Sequence, residues 1–219
     1  MKTGGNKDSR LDRNFSSFLR AKYSPIPKDD TEKVIDGIAS TMALANDRNQ
    51  TLRSVLDGVA RMIYRLFEFK EIAIGLKSEK DGLFRYEILL GFKRESELAH
   101  RRIAYDEKDM MDTTEYPGVK LGKYSEYCTS EALEYERDDM ETFNRPIIVT
   151  QVRKSHEEFL EGDYIDFYIY GYDKELIGWI EVGRTGDGKL PARSTVWYIE
   201  LIASILAILI QKDRAKSKK

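Results

Sequence analysis

The chain has 219 residues, 36 Lys and Arg against 38 Asp and Glu, a formal net charge of −2, and 41% hydrophobic residues. That composition fits one ordinary globular domain with tails, because a core of this size buries roughly two thirds of the unfolded surface. An aromatic share of 11% excludes low-complexity disorder, and 15 glycines without a period exclude collagen-like or repeat arrays. Cys128 is the sole cysteine, which excludes a disulfide framework and a CxxC site; with only His100 and His156 as histidines, no metal centre is expected.

Charge is spread unevenly. Residues 1–28 carry seven basic and two acidic side chains, and residues 212–219 carry five and one, so the body between them is strongly acidic. Basic ends can touch an anionic surface, but an acidic body disfavours a nucleic-acid face, and no nucleic-acid partner is expected. Residues 1–15 are polar and lack a signal-type apolar stretch. The most apolar run, 199–210, is about a dozen residues long against the ~20 that span a bilayer. A cytoplasmic protein with no membrane span is the expectation.

Along the chain, residues 1–28 read as a flexible basic leader with Gly4, Gly5, Pro25 and Pro27, interrupted at 11–23 by a short amphipathic stretch with Phe15, Phe18 and Leu19. Asp29 followed by Glu32 is an N-cap signature, and Val34, Ile38, Thr41, Met42 and Ala45 repeat at helical spacing in an N-terminal helix at 29–50. Beyond the polar interruption at 46–50, Leu52, Val55, Leu56, Val59, Met62, Ile63 and Leu66 form a second stripe. The two segments can be separate helices or one long bent helix. From Glu71 the period becomes two: Ile72, Ile74 and Leu76 mark a strand, Asp81 and Gly82 a turn, and a second strand sets Phe84, Tyr86, Ile88 and Leu90 on one face.

Residues 93–145 are acidic, tyrosine-rich and weakly periodic; short helices are expected at 124–135 and a strand at 146–152. A polar loop at 154–163 precedes a second hairpin, with strands at 164–170 and 176–182 around a turn at 172–175. The loop 184–191 leads into a last helix capped by Ser194 or Thr195 and apolar over nearly its whole circumference at 196–210. Such a helix must bury two sides, whereas one sheet covers only one. A basic tail, 212–219, follows.

Three stretches in this order carry a resemblance: LRSVLDGVARMIYRLFEFKEIAIGL (52–76), KELIGWIEVGR with Gly178 (174–184), and STVWYIELIASILAILIQ (194–211). Residues 51–211, about three quarters of the chain, resemble a GAF domain, the small-molecule sensor fold related to PAS domains. The resemblance implies an α/β fold of the α+β type: a central antiparallel sheet of five or six strands, terminal helices on one face, and the irregular insertion on the other. It further implies a ligand pocket between sheet and insertion, and a homodimer formed through the first and last helices. The helical stripes nominate Val34, Ile38, Met42, Val55, Val59, Ile199, Ile202, Leu206 and Leu209 for that dimer interface.

Nine of the 13 tyrosines lie between Tyr105 and Tyr172. Flat rings with polar tips suit a ligand wall, so Tyr86, Tyr116, Tyr124, Tyr127, Phe143, Tyr168 and Tyr170 are wall candidates; equally, they can close into a second small core. Arg145 can meet an anionic ligand group or pair with a neighbouring carboxylate. Cys128 is a candidate ligand contact or a buried inert thiol. Bilin-bearing relatives use Cys followed by His, where Thr129 stands here; relatives that reduce methionine sulfoxide use several cysteines. The Asn-Lys-Phe-Asp-Glu pattern of cyclic-nucleotide-binding relatives is missing, and so is any P-loop, GxSxG or HExxH motif.

The expectation is a non-catalytic regulatory sensor in signal transduction, with no cofactor identified, whose output a partner protein supplies. Two competing readings are a scaffold with a collapsed pocket and a redox enzyme using Cys128.

Overall fold

A computed structural model describes residues 13–23, 26, 29–47, 49–112, 114, 117–132, 140–148 and 151–217. The first helix, α1 (Arg13–Lys22), occupies the amphipathic stretch. Of the sequence-based expectations, Tyr116, the leader's Gly4, Gly5, Pro25 and Pro27, and the 133–135 end of the expected short helices lie outside the described residues.

The Asp29 carboxylate accepts a hydrogen bond from the Glu32 amide at 2.8 Å and starts α2 (Asp30–Asn46). Asp47 is extended, Thr51 caps the next helix by accepting from the Ser54 amide at 3.2 Å, and α3 (Leu52–Phe67) follows. The two are separate helices. They fold back on each other closely enough that a Cβ on Gly37 would lie 2.8 Å from Met62 Sδ, and one on Gly58 3.1 Å from Leu44.

Six strands form one antiparallel sheet: β1 (Phe69–Lys77), β2 (Phe84–Leu90), β3 (Gly118–Lys120), β4 (Ser125–Cys128), β5 (Tyr164–Tyr170) and β6 (Leu176–Thr185). Their order is β2-β1-β6-β5-β4-β3. The α+β class read from the sequence is the observed one.

The register shifts between Ile74 and Gly75: Ile74 pairs with Ile88, but Gly75 pairs with Tyr86. Glu87 is the extra residue of a β-bulge, so β2 does not keep one apolar face. Ile88 joins the core under the helices, whereas Phe84 and Tyr86 join a second cluster on the opposite side.

Two other expectations are corrected. Residues 125–128 are strand β4, because pairing with β5 overrides weak helical periodicity. The region of the expected strand at 146–152 begins with a 3-10 turn, Pro146–Ile148, flanked by Asn144, Arg145 and Arg153, whose side chains tie it to distant carboxylates in place of a ladder.

The closing helix, α6 (Arg193–Ser217), starts one residue before Ser194, so Ser194 and Thr195 sit in its first turn, with the Thr195 amide donating to Ala192 O. The apolar stretch is longer than the dozen residues of its most apolar run, and an 18-residue window within Arg193–Lys216 reaches a mean hydropathy of 1.7, but much of that window is spent inside the protein's own core, as the central helix of a packed domain requires. Its inner face, with Val196, Ile199, Ile202, Leu206 and Ile210, packs into the main core against α3, Ile165, Phe167, Ile169 and Ile180. Its outer face shows Trp197, Leu201 and Ile208 at 50%, 49% and 65% exposure.

The residues nominated for a dimer interface are largely used inside one chain. Val34, Val55, Val59, Ile199, Ile202, Leu206 and Leu209 are buried, and Ile38 and Met42 are half-buried. The helical period locates a stripe but not its partner, and here the partner is the chain's own sheet and helices.

Candidate functional site

The insertion between β2 and β5 contains α4 (Arg94–His100), α5 (Glu107–Met110), β3 and β4. Polar side chains clamp it to the sheet. Asn144 Nδ2 donates to Glu71 Oε1 at 2.7 Å and to Gly91 O at 2.9 Å, while Asn144 Oδ1 accepts from the Lys93 amide at 2.6 Å. Burial, then the neighbouring Glu161 charge, holds the Glu71 carboxyl above the usual range.

Arg145 bonds the buried Glu161 through Nη2 at 2.5 Å and Nε at 3.0 Å, so the cation considered for an anionic ligand already has its carboxylate. Arg153 Nη2 reaches both oxygens of the fully buried Asp163 at 3.0 and 2.9 Å and Glu131 at 2.9 Å. Asp163 also accepts from Tyr127 OH at 2.5 Å and from the Leu160 and Ser130 amides. Burial, followed by this bond to Asp163, pushes the Tyr127 hydroxyl pKa up. Tyr127 therefore faces the helices with Phe159, and belongs to the main core and not to a ligand wall.

The sheet face under the insertion has two halves. Over β1, β2 and the start of β6 it is closed by aromatic packing. Trp179, 2% exposed, meets Tyr86 at 5.1 Å between ring centroids, Tyr105 at 6.2 Å and Phe84 at 6.3 Å. His100 of α4 packs edge-on against Tyr86 at 4.9 Å. This half realises the small second core.

Over β4, β5 and β6 the face is polar. Glu126 of β4 pairs in register with Asp166 of β5, which pairs with Glu181 of β6, so three carboxyl groups stand in one row across adjacent strands. Lys120 of β3 extends the row beyond Glu126, and Ala73 of β1 extends it beyond Glu181. Strand alternation puts Tyr164, Tyr168 and Tyr170 on the same side as Asp166, with Ile165, Phe167 and Ile169 under the helices.

Tyr168 OH donates to Glu126 Oε2 at 3.3 Å, and Tyr86 OH donates to Glu181 Oε2 at 3.1 Å. Asp166 Oδ1 is shut from solvent and has no hydrogen-bond partner among the described residues. Burial, then the charges of Glu181 and Glu126, drives the Asp166 carboxyl pKa well above the ordinary range. Cys128, opposite Tyr164, is buried, and desolvation followed by the Asp166 charge pushes its thiol up to about 12. A thiol so protonated is a poor nucleophile. Among the described residues no three His, Cys, Asp or Glu groups converge as a metal site requires.

Of the wall candidates, Tyr86, Tyr168, Tyr170 and Cys128 share this face; Tyr124 packs at a tilt against Tyr170, ring centroids 5.4 Å apart, and Phe143 is half-buried. Glu126, Asp166 and Glu181 escaped the sequence reading. Their signal was present in YIDFYIY, where the face opposite Ile165, Phe167 and Ile169 is tyrosines around one acid instead of a solvated charged face. A depression of about 350 Å³ elsewhere, near Thr51 and Leu89, has its charges already matched: Arg53 to Glu87, Asp57 to Arg61, Arg101 to Glu97.

No protein-family model matches the chain, and no curated protein matches it by sequence. Solved structures do match. The GAF domain of a phosphoenolpyruvate-protein phosphotransferase from Coxiella burnetii superposes with a TM-score of 0.56 at 12% identity, covering 88% of this chain and 100% of that one. The GAF domain/HD domain protein from Geobacter sulfurreducens gives 0.52 at 11% identity, over 80% and 98% of the two chains. A far-red absorbing dark-state structure with bound biliverdin IXa gives 0.50 at 12% identity, over 83% and 99%. The chain has a GAF fold; identities this low speak to fold alone.

Proposed function

We propose that this chain is a non-catalytic sensory or regulatory module that takes a small molecule between sheet and insertion and passes its state through paired helices to a partner protein. The observation that carries the reading is the carboxyl row: the face beneath the insertion keeps three half-buried acids, one of which, Asp166, has an enclosed oxygen with no hydrogen-bond partner among the described residues, instead of sealing with hydrocarbon. Such groups are costly to retain unless a ligand meets them. The GAF fold and its solved examples in regulatory proteins support the same reading.

Pairing of two copies would use the outer stripe of α6, Trp197, Leu201 and Ile208, with Ile35 exposed on the adjacent α2. Ligand closure of the insertion over β4 to β6 then biases the helix arrangement as a population shift. Two measurements test this. Light scattering after size exclusion should give a dimer that Trp197→Glu with Leu201→Glu converts to a monomer. Native mass spectrometry of the purified protein and a thermal-shift screen of metabolites should reveal a bound small molecule.

A second reading is a scaffold that keeps the fold for pairing only. The closed aromatic half around Trp179 favours it. A dimer with no ligand and no thermal shift with any metabolite would decide for it.

A further inference from the structure

We propose that the ligand is an organic cation, a protonated amine or quaternary ammonium on an apolar body, seated with its positive group at Asp166. The inference rests on the sensor reading above and names the ligand class of that site.

Three observations converge on it. Glu126, Asp166 and Glu181 occupy successive positions of one row, and among the described residues no Lys or Arg side chain forms an ion pair with any of them. Lys120 holds the register position next to Glu126 but is exposed on the edge strand. Glu71, further along β1, is taken by Asn144 and Arg184.

The second observation is the unmet demand. Glu126 and Glu181 each accept a tyrosine hydroxyl, whereas Asp166 Oδ1, enclosed between them, accepts nothing. A ligand cation placed there supplies the missing partner, a protonated amine through an N–H and a quaternary ammonium through its charge alone, and that charge offsets the mutual repulsion of the row.

The third is the wall. Tyr164 and Tyr168 flank Asp166 on the same face of β5, and Tyr86 reaches Glu181 from beside Trp179. Electron-rich ring faces around a carboxylate suit an ammonium group, whose positive charge is attracted to each well-placed ring. An anion would meet the carboxylates of Glu126 and Glu181 on either side of Asp166, and a metal ion lacks a converging set of three ligands among the described residues.

Other titratable groups on this face are Cys128, Tyr164 and Tyr168, with His100 of α4 packed on Tyr86. All three of the former are held protonated by burial, leaving Asp166 as the group whose proton is exchanged. Binding a cation ionises Asp166 and releases that proton to solvent, so affinity rises with pH by up to tenfold per unit until Asp166 is ionised in the free protein.

The test uses calorimetry on the full chain with phenethylammonium, choline and agmatine as probes, and phenylethanol and phenylacetate as neutral and anionic controls. At least one cation should bind at least tenfold more tightly than either control. Its affinity should rise from pH 5 to 7 with buffer-dependent heat of proton release, and Asp166→Asn should weaken it at least tenfold while still melting cooperatively. Binding of a control as tightly as the cations, lost in Tyr168→Ala, overturns the cation class but keeps the sensor pocket. Absence of binding by every probe, with no small molecule on the purified protein, overturns both. A cation that binds Asp166→Asn and Glu181→Gln as it binds the native chain overturns the assignment to this row.

Discussion

The indole of Trp179 covers Gly75, its register partner on the neighbouring strand, so closely that a Cβ on Gly75 would lie 2.0 Å from the ring. Gly75 is also where the β1–β2 register shifts, so the small residue serves both the bulge and the ring above it. Gly75→Ala should destabilise the protein by about 3 kcal/mol, the upper range for overfilling a packed site, read as a lower midpoint in urea denaturation. A change under about 0.5 kcal/mol would mean that the indole is not held against the strand.

The Arg153 clamp should be worth more than a surface ion pair, because Asp163 is fully buried and Arg153 largely so. Arg153→Ala leaves Asp163 with its amide and tyrosine donors but no countercharge, at an expected cost of about 3 kcal/mol. Hydrogen exchange should quicken first at residues 158–163, ahead of β6.

Cys128 gives a sharp contrast between native and unfolded protein. With its thiol pushed up to about 12 by burial, it should react with a thiol reagent at pH 8 at least a hundredfold more slowly in the folded chain than in denaturant. Cys128→Ser should retain the fold and any cation binding. Rapid native labelling, or a redox activity lost in Cys128→Ser, would revive the enzyme reading.

Stability should depend on pH with a sign opposite to that of an ordinary paired aspartate. The native Asp166 holds its proton more tightly than an unfolded aspartate, whose pKa is 3.8. Above 3.8 and up to the raised native pKa, the folded state therefore binds more protons, and stability falls as pH rises through that interval. Asp166→Asn removes this slope, so the variant should gain steadily on the native chain as pH rises above 4. Paired melts at several pH values check it, since the contribution of Glu71, also raised, cancels in the difference.

The legible parts of the fold were those where one local signal sufficed. Asp29 with Glu32, the alternation of β5, and the turn before β6 each reflect physics acting within a few residues. Strand β4 was misread because four residues carry too little periodicity to outweigh a tyrosine-rich context, and only pairing with β5 makes them a strand. The bulge at Gly75 was invisible for a related reason: β2 alternates faultlessly by itself, and the extra residue is defined only against β1. The candidate site combined both kinds of information. Its tyrosines stood out by composition, but its carboxyl row exists only once β4, β5 and β6 are aligned. Tyr127 and Arg145, chosen by residue type, turned out to serve Asp163 and Glu161.

The row that crosses the sheet has a direction. Starting at β2, its members are Leu89, Ala73, Glu181, Asp166, Glu126 and Lys120, so one end is greasy, the middle is anionic and the far end carries a cation. A guest with a charged head and an oily tail thus meets a gradient: its head is drawn to Asp166 and away from the lysine, and its tail reaches Ala73 and the indole only where the aromatic packing over them opens. Head-to-tail polarity of the guest would be dictated by strand order, before any side chain moves.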